Sequence, residues 1–141
     1  MVDQSYILVV DDDPDIRWAL QLALSSNGFR VREARHADEA LEVMGEEMPD
    51  CIVLDVMMRT EIEGFNLARE LKSRPETSEV PIIILTSFLD KVRNEGPDKF
   101  IDIVGQEWPA TWLFEKPVNN KKLIAKIKSA VQGNQKDFSG T

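Results

Sequence analysis

Cysteine, histidine and long apolar runs are scarce in this chain, and each shortage closes off a class of function. The single cysteine, Cys51, excludes an internal disulfide. It opens an apolar run with no Cys/His cluster around it, so a small buried residue is expected there rather than a reactive thiol. The single histidine, His36, stands in a polar stretch, and a solvated side chain is expected rather than a ligand or a base. Nothing approaches the roughly 20-residue apolar run of a membrane helix. The opening MVDQSYILVV has no basic region ahead of its apolar stretch and no small-residue cleavage site, so it does not read as a secretory leader, and a cytoplasmic location is expected. An excess of positive charge is absent too. With 17 Lys and Arg against 25 Asp and Glu, the formal net charge is −8. That balance disfavours nucleic-acid backbones and anionic membranes as direct partners and leaves cation-bearing partners open.

What is present is an ordinary globular composition, 43% hydrophobic and 30% charged, on 141 residues, enough for one domain with a real core. Five short apolar runs rich in β-branched residues recur: YILVV (6 to 10), FRVREA (29 to 34), CIVLD (51 to 55), PIIILT (81 to 86) and TWLFEK (111 to 116). Continuous apolar runs, rather than alternation, predict strands covered on both faces and hence a parallel sheet.

Amphipathic segments separate them. Ile16, Ala19, Leu20, Ala23 and Leu24 lie at helical spacing, with Asp13 as N-cap, Pro14 at the first helical position and Asn27-Gly28 as a left-handed stop. Further helices are expected from about Ala37 to Glu47, Gly64 to Ser73 and Asn120 to Val131, with a short one possible within the irregular stretch 87 to 110. The alternation predicts a doubly wound α/β sandwich with right-handed crossovers, comprising residues 1–131, and a flexible tail at 132–141.

In such a sheet ligands bind at the carboxyl ends of the strands. Those ends carry Asp11 and Asp12, Asp55, Thr86 and Lys116. An isolated buried carboxylate such as Asp55 costs several kcal/mol to desolvate, so it needs a partner or a water-filled mouth. Two or three carboxylates with a backbone carbonyl form a hard oxygen site suited to Mg²⁺. A bound dication would leave one Asp55 oxygen free as a nucleophile, with Lys116 and Thr86 placed to neutralise and hydrogen-bond a phosphoryl group.

ILVVDDDPDIR, IVLD with a glycine after the following loop, PIIILTS, and a Lys-Pro after the last strand together resemble the receiver domain of two-component response regulators, over about residues 5 to 131. The resemblance implies a flavodoxin-like, five-stranded parallel sheet of order 2-1-3-4-5 with helices on both faces. It further implies Asp55 as phosphoacceptor, Mg²⁺ held by Asp11, Asp12, Asp55 and the Met57 carbonyl, and Thr86 and Lys116 on the phosphoryl group. The implied donor is a phosphohistidine on a sensor histidine kinase or histidine phosphotransfer protein. The expected product is a cytoplasmic, stand-alone, chemotaxis-regulator-like switch, a monomer or weak homodimer. It would catalyse only its own aspartyl phosphorylation and dephosphorylation, and would signal to a downstream protein or relay the phosphoryl group, without direct nucleic-acid or membrane contact.

Three features depart from the family pattern. Arg59 stands where proline is usual, and TEIE lengthens the loop to Gly64; Leu113 replaces the usual aromatic three residues before the lysine; and Thr86 and Lys116 lie thirty residues apart, roughly two helical turns more than usual. Met57 and Phe88, bulky groups beside the expected path of attacking water, predict a slowly hydrolysing phosphoaspartate.

Rival readings fare worse. A calcium loop starting at Asp11 needs glycine and glutamate where the chain has Ile16 and Leu22. A haloacid-dehalogenase-type phosphatase needs an aspartate at Met57. The remaining alternative is a pseudo-receiver, a binding module that is never phosphorylated. Trp108 and Trp112 are expected to pack the irregular segment, and Lys121, Lys122, Lys126 and Lys128 to form a solvated helix face.

Overall fold

Residues 6–10, 51–55 and 82–86 hold apolar side chains at nearly every position, and a strand sends alternate side chains to opposite faces, so each run can be buried only between two layers. The computed structural model, which describes residues 4–55, 63–86, 112–115 and 119–136, shows that arrangement. Strands β1 (Tyr6–Val10), β2 (Arg30–Ala34), β3 (Cys51–Asp55), β4 (Ile82–Thr86) and β5 (Trp112–Glu115) form one parallel sheet of order β2-β1-β3-β4-β5. Helices α1 (Pro14–Ser26), α2 (Ala37–Glu46), α3 (Glu63–Ser73) and α4 (Asn120–Lys136) cover it.

Strand parity divides the core in two. Leu8, Val10, Ile52, Leu54, Ile82 and Ile84 face α2 and α3, meeting Val43, Met44, Phe65, Ala68 and Leu71. Ile7, Val9, Val53, Ile83 and Leu85 face α1 and α4, meeting Leu20, Leu24, Leu123 and Ile127. Each fully buried aliphatic side chain contributes about 1.5–3 kcal/mol. The doubly wound fold and its strand order are therefore those expected.

Helix α1 follows its punctuation closely. The Asp13 side chain accepts from the Asp15 amide at 2.9 Å, and Pro14 occupies the first turn, where its missing N–H costs nothing. At the other end Gly28 adopts φ +88, and the amides of Gly28 and Phe29 donate to the Ser25 and Leu24 carbonyls at 3.1 Å, a Schellman closure. The buried stripe is narrower than expected: Leu20 and Leu24 are buried and Ile16 packs against them, but Ala19 is exposed. Helix α4 is longer than expected, running to Lys136 rather than ending at Val131. VQGNQK contains no proline, and one glycine costs only about 1 kcal/mol in a helix interior. Residues 137–141 of the expected tail lie outside the described residues, as does the whole irregular stretch 87 to 110 with Trp108.

Cys51 is fully buried at the start of β3, and burial pushes its thiol up to about 12. Native protein should therefore react with a disulfide reagent at pH 8 only at its rate of opening, whereas guanidinium-unfolded protein should react at once; a fast native reaction would contradict this burial. Among the described residues, no helix is long and apolar enough to cross a membrane.

Candidate functional site

The parallel register brings four strand ends to one rim. Val10 pairs with Leu54, Asp55 pairs with Leu85, and Thr86 pairs with Glu115, so Asp55, Thr86, Glu115 and the residues following β1 share the carboxyl edge of the sheet. There Asp11, Asp12 and Asp55 each offer a carboxylate oxygen, all within 4.8 Å of one another. Asp11 and Asp55 are buried, 1% and 6% exposed, while Asp12 faces solvent. The chain thus concentrates three formal negative charges at a spot only one of them shares freely with water. Hard oxygens so spaced fit an oxygen-liganded dication, which would offset their mutual repulsion.

Asp11 is fastened on several sides. Its amide donates to the Ala34 carbonyl at 3.1 Å, and its Oδ1 accepts from the Asp13 amide at 2.9 Å. Asp13 therefore serves α1 as a cap and the cluster as a brace. Of the other predicted site residues, Thr86 ends β4, but its side chain lies outside what the structure describes, and so do Met57 and Lys116. The lengthened loop, residues 56–62 with Arg59, and Phe88 also fall outside the described residues, as does the Leu113 side chain.

Two residues near the rim do more than the sequence suggested. His36, expected merely to be solvated, is the N-cap of α2: its Nδ1 accepts from the Glu39 amide at 3.3 Å. Histidine is an uncommon cap, so composition gave no signal; only its place one residue before a helical run did. Glu63, last residue of the TEIE stretch, starts α3 and accepts from the Ala37 amide through Oε2 at 3.0 Å. The far end of the altered loop is thereby tied to the positive end of α2. Replacing His36 by Ala should cost about 0.5–1 kcal/mol in urea denaturation, and by Asn nothing or a small gain; an unchanged His36→Ala would deny the cap its role.

Trp112 is expected to pack the irregular stretch 87 to 110, which lies outside the described residues. It is 46% exposed on the edge strand β5, with Lys126 Nζ of α4 3.8 Å from its ring centroid. That contact takes Lys126 out of the solvated lysine face. Phe114 is the β5 aromatic that packs partly into the core, on the α1–α4 side.

Residues 7–128 match the family model described as the response regulator receiver domain. The chain is 35% identical over 131 residues to the transcriptional regulatory protein AfsQ1 of Streptomyces coelicolor, covering 93% of this chain and 53% of that protein. It is 34% identical over 131 residues to the response regulator MprA of Mycobacterium leprae, again 93% and 53%. The chain spans about half the length of the curated relatives it matches. Among solved structures, the receiver domain of a signal transduction histidine kinase from Syntrophus aciditrophicus superposes with a TM-score of 0.74 at 29% identity, covering 92% of this chain and 91% of that one. A CheY-like receiver domain protein from Methanospirillum hungatei gives 0.76 at 25% identity, with 96% and 99% covered.

Proposed function

The chain belongs to the response regulator receiver domain family, and from that premise we propose that it is a phosphorylation-dependent switch whose phosphoacceptor is Asp55. The observation that supports this most is the convergence of Asp11, Asp12 and Asp55 at the carboxyl edge of the sheet. A metal carboxylate site and a nucleophilic carboxylate need the same three groups there.

In the reaction an Asp55 oxygen attacks the phosphorus of a phosphohistidine. The O–P bond forms as the P–N bond breaks, and the imidazole leaves with the electron pair and takes up a proton. Mg²⁺ held by Asp11, Asp12, Asp55 and the Met57 carbonyl would neutralise charge on the phosphoryl oxygens. Lys116 and Thr86 are assigned the remaining oxygens, by an ion pair and a hydrogen bond. The donor is a sensor histidine kinase or a histidine phosphotransfer protein, and the receiver of the signal is a protein partner. The transcriptional role named for the AfsQ1 relative belongs to a protein about twice the matched length.

Incubation with acetyl phosphate and Mg²⁺, read by intact mass, tests the proposal: one phosphoryl mass should be gained, and none with EDTA. No gain under conditions that label other receivers would favour the pseudo-receiver reading. The acyl phosphate should also be long-lived, because Met57 and Phe88 are poor at orienting water. Its hydrolysis should accelerate in a Met57→Asn, Phe88→Glu variant, and an unchanged rate would remove that cause.

A further inference from the structure

We infer that Arg17 is a positioning residue for the carboxylate cluster, aimed by Glu33 of the neighbouring strand; the inference rests on the Mg²⁺ site proposed above. Arg17 lies in the first turns of α1 with its side chain only 14% exposed. Its Nη1 donates to the backbone carbonyl of Asp11 at 2.8 Å, and its Nε donates to Glu33 Oε1 at 3.2 Å. Glu33 pairs in register with Val9, two residues before Asp11, and the next residue of β2, Ala34, accepts the Asp11 amide. Both backbone polar groups of Asp11 are therefore referred to β2, one directly and one through the Arg17 fork.

An ordinary surface ion pair would be worth about 0–1 kcal/mol and would leave the cluster alone. Here one arm of the guanidinium instead grips an uncharged oxygen of the residue that carries a buried carboxylate. The planar fork reaches two acceptors at fixed angles, which a lysine ammonium on a flexible stem does not.

Charge and positioning make opposite predictions, and that separates them. As a positive charge beside three carboxylates, Arg17 opposes cation binding, so its loss should tighten Mg²⁺. As a strut it fixes Asp11, so its loss should weaken Mg²⁺, as loss of groups that orient metal ligands commonly does.

The test is Mg²⁺ titration by calorimetry of the full chain at neutral pH, with Arg17→Met, Arg17→Lys, Glu33→Ala and Glu33→Gln. The first three should raise the Kd by about tenfold, while Glu33→Gln, whose amide oxygen still accepts from Nε, should stay within about twofold. The Mg²⁺ concentration giving half-maximal acetyl phosphate labelling should move in parallel, with the labelling rate at saturating Mg²⁺ nearly unchanged. Melting in EDTA identifies any variant that fails to fold; if Arg17→Met is one, Glu33→Ala carries the comparison, since Glu33 is 40% exposed. Unchanged or tighter Mg²⁺ in Arg17→Met, or equal weakening by Glu33→Ala and Glu33→Gln, overturns the inference while leaving the receiver reading intact. A wild-type chain that takes up no Mg²⁺ overturns both.

Discussion

Asp55→Asn should lose acetyl phosphate labelling completely and, in EDTA, melt several degrees higher than the wild type. The two effects have one origin. Asp55 and Asp11 are buried with carboxylate oxygens within 4.8 Å of each other. At an effective dielectric constant near 20, like charges no farther apart than that repel by about 3.5 kcal/mol or more, part of which their other contacts offset. An amide removes one charge and keeps the shape, so about 1–3 kcal/mol of stability should return. Added Mg²⁺ should stabilise the wild type in proportion to its occupancy and the variant much less. A residue that was merely structural would lose stability on substitution rather than gain it. Labelling that survives Asp55→Asn would end the assignment of Asp55 as phosphoacceptor; lower stability in EDTA would show that repulsion does not dominate the cluster.

Phe65→Ala should lose about 3–5 kcal/mol, against a total of about 5–15 for a domain of this kind. Phe65 is fully buried in the second residue of α3 after Glu63, between the β3 and β4 side chains and α2. Removing the ring leaves a cavity under the helix that receives the lengthened loop, so the chain from Asp55 onward loses its anchor. The urea midpoint should fall with the slope unchanged, because the surface exposed on unfolding is nearly the same. Trp18→Ala, by contrast, removes a side chain 65% exposed on α1 and should shift stability by no more than about 0.5 kcal/mol. A Phe65→Ala loss as small as that would mean that α3 collapses onto the vacancy at little cost.

The strands and α1 were legible in the sequence because their signals are local and redundant. CIVLD reads as buried in any context, and Asp13, Pro14 and Asn27-Gly28 each solve a backbone problem that only a helix end poses. The cluster was legible because Asp11, Asp12 and Asp55 close strands of one sheet, and topology alone brings such ends together. Other features depended on contacts between distant segments. Trp112 belongs to an apolar run, but β5 lies at the sheet's edge, where burial on both faces does not follow, and Lys126 covers its ring from α4. The roles of His36 and Glu63 arise where α2 and α3 start side by side, and neither residue type declares a capping role by itself. Arg17 is similar: nothing in DDDPDIRW says that the arginine turns back toward the first aspartate.

The seclusion of Cys51 also has a practical use. Because the native thiol is out of reach, a cysteine introduced at an exposed position, such as Ser25 on α1, would be the sole site for a maleimide dye or a nitroxide on the folded protein. With a second such cysteine on another helix, the distance between the two labels could be followed spectroscopically through a phosphorylation cycle, with the wild-type background left intact.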